Sequence, residues 1–384
     1  MFLEKVLKDN TKLIKVAHEH AKVGDIRPDS FVIDVDTVLD NAKKMLDVAK
    51  QYNLQLFFML KQIGRNPYIA KKLIEMGYPG AVVVDFKEAQ IMMDHQIPIA
   101  HAGHLVQIPT NMISSMVDYG IKNITIYSLE KAEQLNEAAE KLNCYQNVLI
   151  RVVEEEDFLY NGQQAGIYIG DLLPFVEKLK KLTHIRFNGL TIFPGLLFDH
   201  ESRHFEKTKN TDTLLKAKAL LEENGVAVNE LNIPSATCSA TIPFIAELGG
   251  TSAEPGHGLT GTTPGHAHLD LLERPGIVYL SEISHSFNGV SYFYGGGHYF
   301  RGHFENTLII NKKGEKSIQK VIPPDSESID YYVGLEGCQE IGAIVISLFR
   351  FQIFVSRSDV VLIEGIQNGQ PKIVGIYDSL GREL

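Results

Sequence analysis

The sequence has few cysteines, no long apolar run and no strongly basic segment. Its cysteines are odd in number and far apart in a chain of 384 residues, so they form neither a disulfide framework nor a Cys-x-x-Cys pair. This favours a reducing compartment, and we expect a cytoplasmic protein. No apolar run reaches the roughly 18 residues that a membrane-spanning helix needs. The net charge of −10 argues against a general nucleic-acid-binding protein. The three cysteines are Cys144, Cys238 and Cys338.

The N-terminus indicates a helix rather than a targeting signal. Residues Met1–Asp9 alternate charged with apolar side chains, which is not the pattern of a secretory signal peptide. The overall composition, 44% hydrophobic and 22% charged, is that of an ordinary globular protein long enough for two domains. After Asp9, apolar residues at helical spacing predict an amphipathic helix that lies on the domain. These residues are Leu13, Ile14, Val16 and Ala17.

From about residue 50 to residue 260, short apolar runs alternate with helical patterns. Eight runs at roughly even spacing predict a parallel sheet closed into a (β/α)8 barrel of the TIM type. An open doubly wound sheet is the alternative, although no Gly-x-Gly-x-x-Gly follows the first run, so a dinucleotide-binding fold has little support. The runs are Leu54–Leu60, Gly80–Val84, Ile97–Ala100, Ile124–Tyr127, Val148–Val153, Phe187–Phe193, Val228–Ile233 and a weaker one at Thr251–Ala253.

The pattern changes near residue 270. Beyond it, short strand-like runs separated by Gly, Asn and Asp turns predict a smaller all-β domain. We therefore expect a helical extension over residues 1–30, a barrel over residues 31–268 and a β domain over residues 269–384. The strand Phe31–Asp36, which precedes the barrel, could instead join the β domain and link the two ends of the chain. The β-domain runs are Phe287–Tyr294, Thr307–Ile310, Ala343–Ser347, Val360–Ile363 and Lys372–Tyr377.

Lys61 is the most informative single residue. It ends the run Leu54–Leu60, shortly before the helical stretch Ile69–Ile74, and that edge of a (β/α)8 barrel carries the catalytic groups. A lysine amine in apolar surroundings tends to lose its proton, and a neutral amine can form a Schiff base with an aldehyde. The alternative is a strand-end lysine that extends its amine to water.

More polar groups follow the predicted strands. The full set is Lys61, His101, His104, Arg151, Thr191, the turn Ser235–Ser239 and the turn Glu254–Gly261. With this set, in this order, the chain resembles the fold-type III pyridoxal-phosphate enzymes, which comprise the alanine racemases and the ornithine and diaminopimelate decarboxylases. Within that group it resembles the YhfX-type branch in particular. The resemblance runs from Phe31 to the C-terminus and implies pyridoxal 5'-phosphate as the cofactor.

The resemblance implies a role for each matching residue. Lys61 matches the lysine that holds the cofactor covalently, and Arg151 matches a strand-end arginine near a cofactor oxygen. Ser239 matches a phosphate-binding serine. Glu254 matches the glutamate that pairs with the pyridine nitrogen, and a carboxylate there favours the protonated ring that works as an electron sink. His104 either stacks near the ring or is a satisfied polar histidine.

One position departs from the pattern of the decarboxylases. The turn Glu254-Pro255-Gly256-His257 resembles their Glu-Pro-Gly-Arg turn, whose arginine contacts the phosphate. His257 stands in the place of that arginine, although the backbone N–H groups of Gly256 and His257 can still bind phosphate. Alanine racemases, in turn, have an arginine where this chain has Glu254.

The predicted β domain carries a second set of residues. The segment Gly289–Tyr299 resembles the racemase segment in which a Tyr-Gly pair brings a catalytic tyrosine to the partner subunit's cofactor. The resemblance therefore implies a homodimer with shared active sites. Tyr294 precedes Gly295 and fits best, and Tyr292 is the alternative. A further alternative is that both are ordinary tyrosines of a strand with no catalytic role. A tyrosine can exchange a proton if its surroundings lower its pKa. Cys338 resembles a decarboxylase cysteine near the active site.

Two further histidines, His266 and His268, could bind a metal, as the His and Cys of the D-threonine aldolase and D-serine dehydratase relatives do. The close His-x-Cys pair of those enzymes is missing here. We favour a solvated linker between the domains at this position and expect no metal.

These observations predict a pyridoxal-phosphate-dependent enzyme that acts at the α-carbon of a small amino acid. A racemase or epimerase would use Lys61 and Tyr294 of the partner chain as bases on opposite faces. A decarboxylase is the alternative that Glu254 favours, and a non-catalytic carrier or regulator that binds the cofactor is a third. The expected partners are the amino acid and a second copy of the chain, with no nucleic acid and no membrane.

Overall fold

The computed structural model describes residues 1–296, 302–325, 327–329 and 331–384. The chain divides into two compact units. The barrel unit comprises Lys44–Leu60 and Pro67–Gly256, and the β unit comprises Met1–Lys43, Lys61–Asn66 and His257–Leu384. No helix in the described ranges is both long enough and apolar enough to cross a membrane.

Strands are numbered along the described chain. They are β1 (Ser30–Asp34), β2 (Gln55–Leu56), β3 (Phe58–Met59), β4 (Ala81–Val82), β5 (Ile99–Ala102), β6 (Asn123–Ile126), β7 (Gln146–Val153), β8 (Ile167–Tyr168), β9 (Ile185–Thr191), β10 (Leu196–Asp199), β11 (His204–Lys207), β12 (Glu230–Asn232), β13 (Ser252–Ala253), β14 (Ile277–Phe287), β15 (Val290–Tyr294), β16 (Asn306–Ile310), β17 (Lys316–Ile322), β18 (Tyr332–Glu336), β19 (Ile344–Ser347), β20 (Asp359–Glu364) and β21 (Lys372–Tyr377).

Helices are numbered in the same way. They are α1 (Phe2–Asp9), α2 (Thr11–Val23), α3 (Val35–Gln51), α4 (Pro67–Met76), α5 (Phe86–Asp94), α6 (Ile113–Asp118), α7 (Leu129–Lys141), α8 (Ile169–Leu179), α9 (Lys209–Glu223), α10 (Ile242–Glu247), α11 (His257–Thr260) and α12 (Pro264–His268). Short 3₁₀ turns cover Lys61–Ile63, Thr110–Met112 and Ile353–Val355.

The barrel unit is built on a closed parallel sheet. Its strands follow one another in the order β2, β13, β12, β9, β7, β6, β5, β4 and β3, and each neighbouring pair is parallel. Because β2 and β3 are two halves of one strand separated only by Phe57, the described residues form an eight-stranded barrel. The predicted (β/α)8 barrel is confirmed, and the alternative of an open sheet is wrong. Each of the eight predicted runs overlaps a barrel strand.

The barrel strands are apolar because both of their faces are covered. Leu56, Phe57, Phe58 and Leu60 are each at most 1% exposed. A strand that is buried on both faces reads as a continuous apolar run, which explains why the runs were visible in the sequence. All the strands share one direction, so their carboxyl ends meet at one edge of the barrel. The residues at or just beyond those ends include His101, Tyr127, Arg151, Thr191, Asn232 and Glu254.

The β unit is an antiparallel sheet extended at one side. Within the described residues β14, β15, β18, β17, β16 and β19 form a closed ring, because β14 pairs with both β15 and β19. β1, β20 and β21 continue the sheet from β14, with β1 parallel to β20. The N-terminal helix α2 packs against β14 and β19. The four apolar residues that predict this helix are buried: Leu13, Ile14, Val16 and Ala17.

The sequence prediction of the β unit was incomplete. β14 begins at Ile277, well before the predicted Phe287, and β17 and β18 were not predicted. β17 is exposed along most of its length, so it has little of the apolar alternation that marks a strand. The prediction of an all-β C-terminal domain is nevertheless confirmed.

Candidate active site

A carboxylate and an imidazole meet at the carboxyl edge of the barrel. Glu254 follows β13, and its Oε1 lies 2.8 Å from Nδ1 of His101 in β5. Nε2 of His101 lies 2.6 Å from the hydroxyl oxygen of Thr125 in β6. The side chains of Glu254 and His101 are both 0% exposed. The second carboxylate oxygen of Glu254, Oε2, has no hydrogen-bond partner among the described residues. The carboxylate therefore has one oxygen fixed and one oxygen available to a donor on a ligand.

His104 lies beside this pair. Its ring centre is 5.0 Å from that of His101, and the two rings are tilted by 57°. Its Nδ1 is 3.3 Å from the hydroxyl oxygen of Thr191, which itself donates to Oδ1 of Asn232 at 2.8 Å. The ring of Phe193 meets it edge to face at 5.9 Å. These contacts hold the ring through Nδ1 and its edge, and stacking on a cofactor stays a prediction.

Arg151 is buried next to Tyr127. Its guanidinium nitrogens lie 3.5 Å from the Tyr127 hydroxyl and 3.5 Å from the carbonyl oxygen of Phe193. The Tyr127 hydroxyl donates to the backbone carbonyl of His104. Burial raises the pKa of Tyr127, and the positive charge of Arg151 partly opposes that rise. Both contacts of Arg151 are long for hydrogen bonds, so its guanidinium can still bind an anionic group more tightly.

The segment that follows β12 forms a strained turn around Ser239. Ser235 and Ala236 have φ values of 88° and 51°, in the left-handed region that non-glycine residues rarely adopt. The hydroxyl oxygen of Thr241 accepts from the N–H of Cys238 and donates to the carbonyl of Ala236, both at 2.9 Å. Ser239 is 5% exposed. Such strain persists where the surroundings enforce it, and it concentrates at ligand sites.

Lys61 and His257 belong to the β unit. Lys61 begins a short 3₁₀ turn directly after the first barrel strand and is partly exposed. His257 is buried; its Nδ1 lies 3.0 Å from the Thr262 hydroxyl, and its Nε2 has no hydrogen-bond partner among the described residues. Burial lowers the pKa of His257 well below its ordinary value, and the positive charges of Arg350, Lys61 and His266 lower it further. The burial of the ring therefore favours the neutral form of the imidazole.

Tyr294 and Tyr292 differ in their surroundings. Tyr294 ends β15 with its side chain 38% exposed. Its backbone carbonyl accepts from the Ser281 hydroxyl at 2.7 Å and lies 3.2 Å from the hydroxyl of Tyr279. Tyr292 stacks on His285, with ring centres 4.9 Å apart. Tyr292 is thus a packed strand residue, whereas the phenol of Tyr294 is accessible. The last three residues of the motif lie outside the described residues: Gly297, His298 and Tyr299.

The remaining candidates are dispersed. Cys338 is an exposed free thiol. His266 is buried, with Nδ1 2.6 Å from the Thr263 hydroxyl and Nε2 3.3 Å from the Glu273 carboxylate. The interpretation of this segment as a solvated linker is therefore wrong for His266, while His268 is partly exposed. The described residues hold no cluster of three or more potential metal ligands.

The predicted site residues thus divide between the two units. In the barrel unit, hydrogen bonds and ring contacts link the surroundings of Glu254, His104 and Arg151, and Gly256 is the unit's buried last residue. Ser239 joins this group through its turn, since the Thr237 hydroxyl accepts from the backbone N–H of Glu254 at 3.3 Å. The β unit holds Lys61, His257, Tyr294 and Cys338.

Two family models match the chain. The model of the alanine racemase N-terminal domain matches residues 33–264, and the model of the YhfX-like C-terminal domain matches residues 278–373. The chain belongs to the alanine racemase N-terminal domain family. It is 44% identical over 385 residues to the uncharacterized protein YhfX of Escherichia coli (strain K12), and the match covers both chains in full. The resemblance inferred from the sequence is confirmed.

Solved structures share the fold of this family member at lower identity. A D-threonine aldolase from Filomicrobium marinum is 14% identical, with a TM-score of 0.68 over 92% of this chain and 95% of that chain. An alanine racemase from Clostridium difficile 630 in complex with cycloserine is 19% identical, with a TM-score of 0.62 over 91% and 98%. A diaminopimelate decarboxylase from m. jannaschii in complex with L-lysine is 12% identical, with a TM-score of 0.64 over 96% and 92%. These likenesses show the fold.

Several contributors to the site of this alanine racemase family member were not assigned from the sequence. Thr125, Tyr127 and Asn232 each lie near the end of a predicted strand, and a polar residue within an apolar run was their signal. His101 belonged to the predicted set, but without a role.

Proposed function

We propose that the chain binds pyridoxal phosphate and acts at the α-carbon of a small amino acid, as a racemase or epimerase. The observation that carries the binding of the cofactor is the buried carboxylate of Glu254, whose Oε2 has no hydrogen-bond partner among the described residues. A protonated pyridine nitrogen is a single charged donor, and such an oxygen accepts it in a charge-assisted hydrogen bond. When bound, the cofactor supplies the electron sink that lets the α-carbon release a proton.

Lys61 is the proposed holder of the cofactor. Its position, directly after the first barrel strand, matches the family pattern from which this role comes. Once an amino acid has displaced it, its amine at Nζ takes the α-proton or returns it. A lysine amine acts as a base only when it is neutral, and nearby positive charge favours the neutral form. The charges of Lys61 and Arg350 both lower the pKa of the buried His257 in the same unit.

The phosphate group is assigned to the turn of Ser239, to the backbone N–H groups of Gly256 and His257, and to the side chain of His257. If the Thr262 hydroxyl donates to Nδ1 of His257, the proton of this neutral ring is carried by Nε2. An N–H donor at Nε2 would then be free to bind a phosphate oxygen, as a neutral replacement for the arginine of the decarboxylases. The strained backbone from Ser235 adds N–H groups that favour an anion.

The second base of a racemase is assigned to Tyr294 of a partner chain. Racemisation needs proton exchange on opposite faces of the α-carbon, and the accessible phenol at the end of β15 suits a residue that acts outside its own chain. Decarboxylation is the second candidate, favoured by Glu254, which stands where alanine racemases have an arginine. A carrier without turnover is the third, and the large β unit argues against it.

The first prediction concerns Lys61. Borohydride reduction of the purified protein with pyridoxal phosphate should fix the cofactor on Lys61, as read by mass spectrometry of peptides. Lys61→Ala should abolish the adduct, whereas Lys71→Ala, at an exposed position in α4, should not. An adduct on another lysine, or no adduct, contradicts the proposal. Incubation with a panel of amino acids, followed by measurement of both chirality and CO2 release, then separates racemase, decarboxylase and carrier.

A further inference from the structure

We propose that His101 is a positioning residue for Glu254: it holds Oε1 of the carboxylate and leaves Oε2 for the ring nitrogen of the cofactor. This inference rests on the proposed function and deepens it. Its basis is the chain of contacts from Thr125 through His101 to Glu254, at 2.6 and 2.8 Å, in a fully buried environment.

The proposal assigns the proton of His101 to one nitrogen. With the carboxylate as the acceptor, the 2.8 Å contact with Oε1 has the proton on Nδ1. The hydroxyl of Thr125 can then donate to Nε2, which fixes the neutral tautomer and the orientation of the ring. The backbone of Thr125 is held in turn, because Gln107 Nε2 donates to its carbonyl at 2.8 Å and to the carbonyl of Gly103 at 2.7 Å.

The imidazole also fixes the orientation of the carboxylate. A hydrogen bond donated to a carboxylate is charge-assisted and holds the acceptor oxygen in place. His101 supplies this bond to Oε1, from a strand that also forms the barrel wall. Without it, the carboxylate could turn its second oxygen away from the ring nitrogen, which would weaken the charge-assisted hydrogen bond that stabilises the protonated ring.

Two substitutions separate the roles of the two imidazole nitrogens. The amide nitrogen of asparagine lies where Nδ1 of histidine lies, so His101→Asn keeps a donor for Glu254. The amide nitrogen of glutamine lies where Nε2 lies, so His101→Gln loses that donor while it keeps a polar group near Thr125. Both variants replace the ring by an amide, which makes them matched controls for the loss of ring volume.

The readout is the protonation of the cofactor itself, measured by NMR with pyridoxal phosphate labelled with ¹⁵N in the ring. The wild type and His101→Asn should show a protonated ring nitrogen, and Glu254→Gln should show an unprotonated one. In His101→Gln the ratio of unprotonated to protonated ring should rise by at least about tenfold, the size of one charge-assisted hydrogen bond. An unchanged ratio in His101→Gln overturns the inference.

A second measurement covers the case in which His101→Gln does not fold. In the cofactor-free wild type with ¹⁵N-labelled histidine, His101 should carry its proton on Nδ1. Glu254→Ala, which leaves His101 in place but removes the acceptor at Nδ1, should convert that signal to a mixture of tautomers. A wild-type proton on Nε2 alone, or no response to Glu254→Ala, overturns the inference.

These outcomes distinguish the inference from the proposed function. If the wild type takes up no pyridoxal phosphate, or binds it with an unprotonated ring, the proposed function fails and the inference fails with it. If the wild type binds a protonated ring that depends on Glu254 but not on His101, only the inference fails.

Discussion

The two units present their candidate groups in opposite ways. In the barrel unit, Glu254 is 0% exposed and one of its oxygens is fixed by His101. In the β unit, the Tyr294 side chain is 38% exposed, and the hydrogen bond from Ser281 holds its backbone rather than its phenol. A buried, hydrogen-bonded carboxylate is oriented before any ligand arrives, whereas an exposed phenol is not. The contrast favours a barrel that orients its own acid and a tyrosine that is ordered by a second copy of the chain.

A second contrast separates Glu254 from Asp29, a partly buried carboxylate whose side chain is 17% exposed. The hydroxyl of Tyr279 donates to Oδ1 of Asp29 at 2.8 Å, and the hydroxyl of Ser358 donates to the same oxygen. Burial raises the pKa of Asp29, and these two hydrogen bonds partly oppose the rise. A side chain at Gly296 would collide with this carboxylate, so Asp29 fits against the Tyr-Gly segment. The second oxygen of Asp29 lies 3.8 Å from the guanidinium of Arg357, whereas Oε2 of Glu254 is buried and has no hydrogen-bond partner among the described residues.

The largest expected effect tests whether Tyr294 acts on a partner chain. Lys61→Ala and Tyr294→Phe should each be inactive, and a mixture of the two should recover up to about a quarter of wild-type activity, because half of the dimers are mixed and each holds one complete site. Activity on the amino acid found in the panel is the measurement. Tyr292→Phe serves as the control and should be active by itself. Mixed dimers that form but stay inactive would show that Tyr294 serves its own chain or is not catalytic.

The next prediction replaces the carboxylate of Glu254 and the carboxylate of Asp29 by the corresponding amide and compares the two losses of activity. Glu254→Gln should lower kcat by about a hundredfold or more, since it removes the charge that stabilises the developing charge of the reaction. Asp29→Asn should change kcat by less than about twofold, because asparagine keeps an acceptor and tolerates the φ of 61° at this position. Steady-state kinetics on both variants, at matched cofactor occupancy, provide the comparison.

The pH dependence of stability sharpens this comparison. A raised pKa in the folded state means that the wild type gains stability from a protonated Asp29 at low pH and loses it as pH rises from 3.8 through the folded value. Asp29→Asn should remove this contribution, which urea unfolding at several pH values would detect. Equal loss of activity in Asp29→Asn and Glu254→Gln would mean that the unpartnered oxygen does not identify the functional acid.

The barrel could be predicted because its physical signal is local. A parallel strand covered on both faces must be apolar throughout, and even the short strand Ser252–Ala253 lay within a recognisable run. The β unit lacks that signal, since an antiparallel strand such as Lys316–Ile322 has most of its residues in solvent. The strand bounds in the β unit therefore differ from the predicted bounds more than the strand bounds in the barrel do.

The candidate site shows the same division between local and distant information. Glu254 could be found because it stands in a short motif. Its contact with His101 joins residues 153 positions apart in the sequence, and nothing near either residue encodes that pairing. The neutral state of His257 likewise depends on burial and on Arg350, which is contributed by a distant loop. The sequence shows which residue types are present. Which residues they contact in the folded chain, and therefore how their charge is shifted, depends on the fold.

The smallest expected effect concerns that neutral state of His257. Because its folded-state pKa is lowered, the unfolded chain binds the proton more readily, so the folded state loses stability as pH falls below 6.5. Between about pH 7 and pH 5 the wild type should lose up to about 2 kcal/mol through this residue. His257→Asn should remove that part of the loss, whereas His95→Asn, at an exposed position, should not. Urea unfolding of the cofactor-free proteins at both pH values measures the difference. If the wild type and His257→Asn lose equal stability, His257 is not held neutral by its surroundings, and a charged phosphate-binding role like that of the arginine becomes the better interpretation.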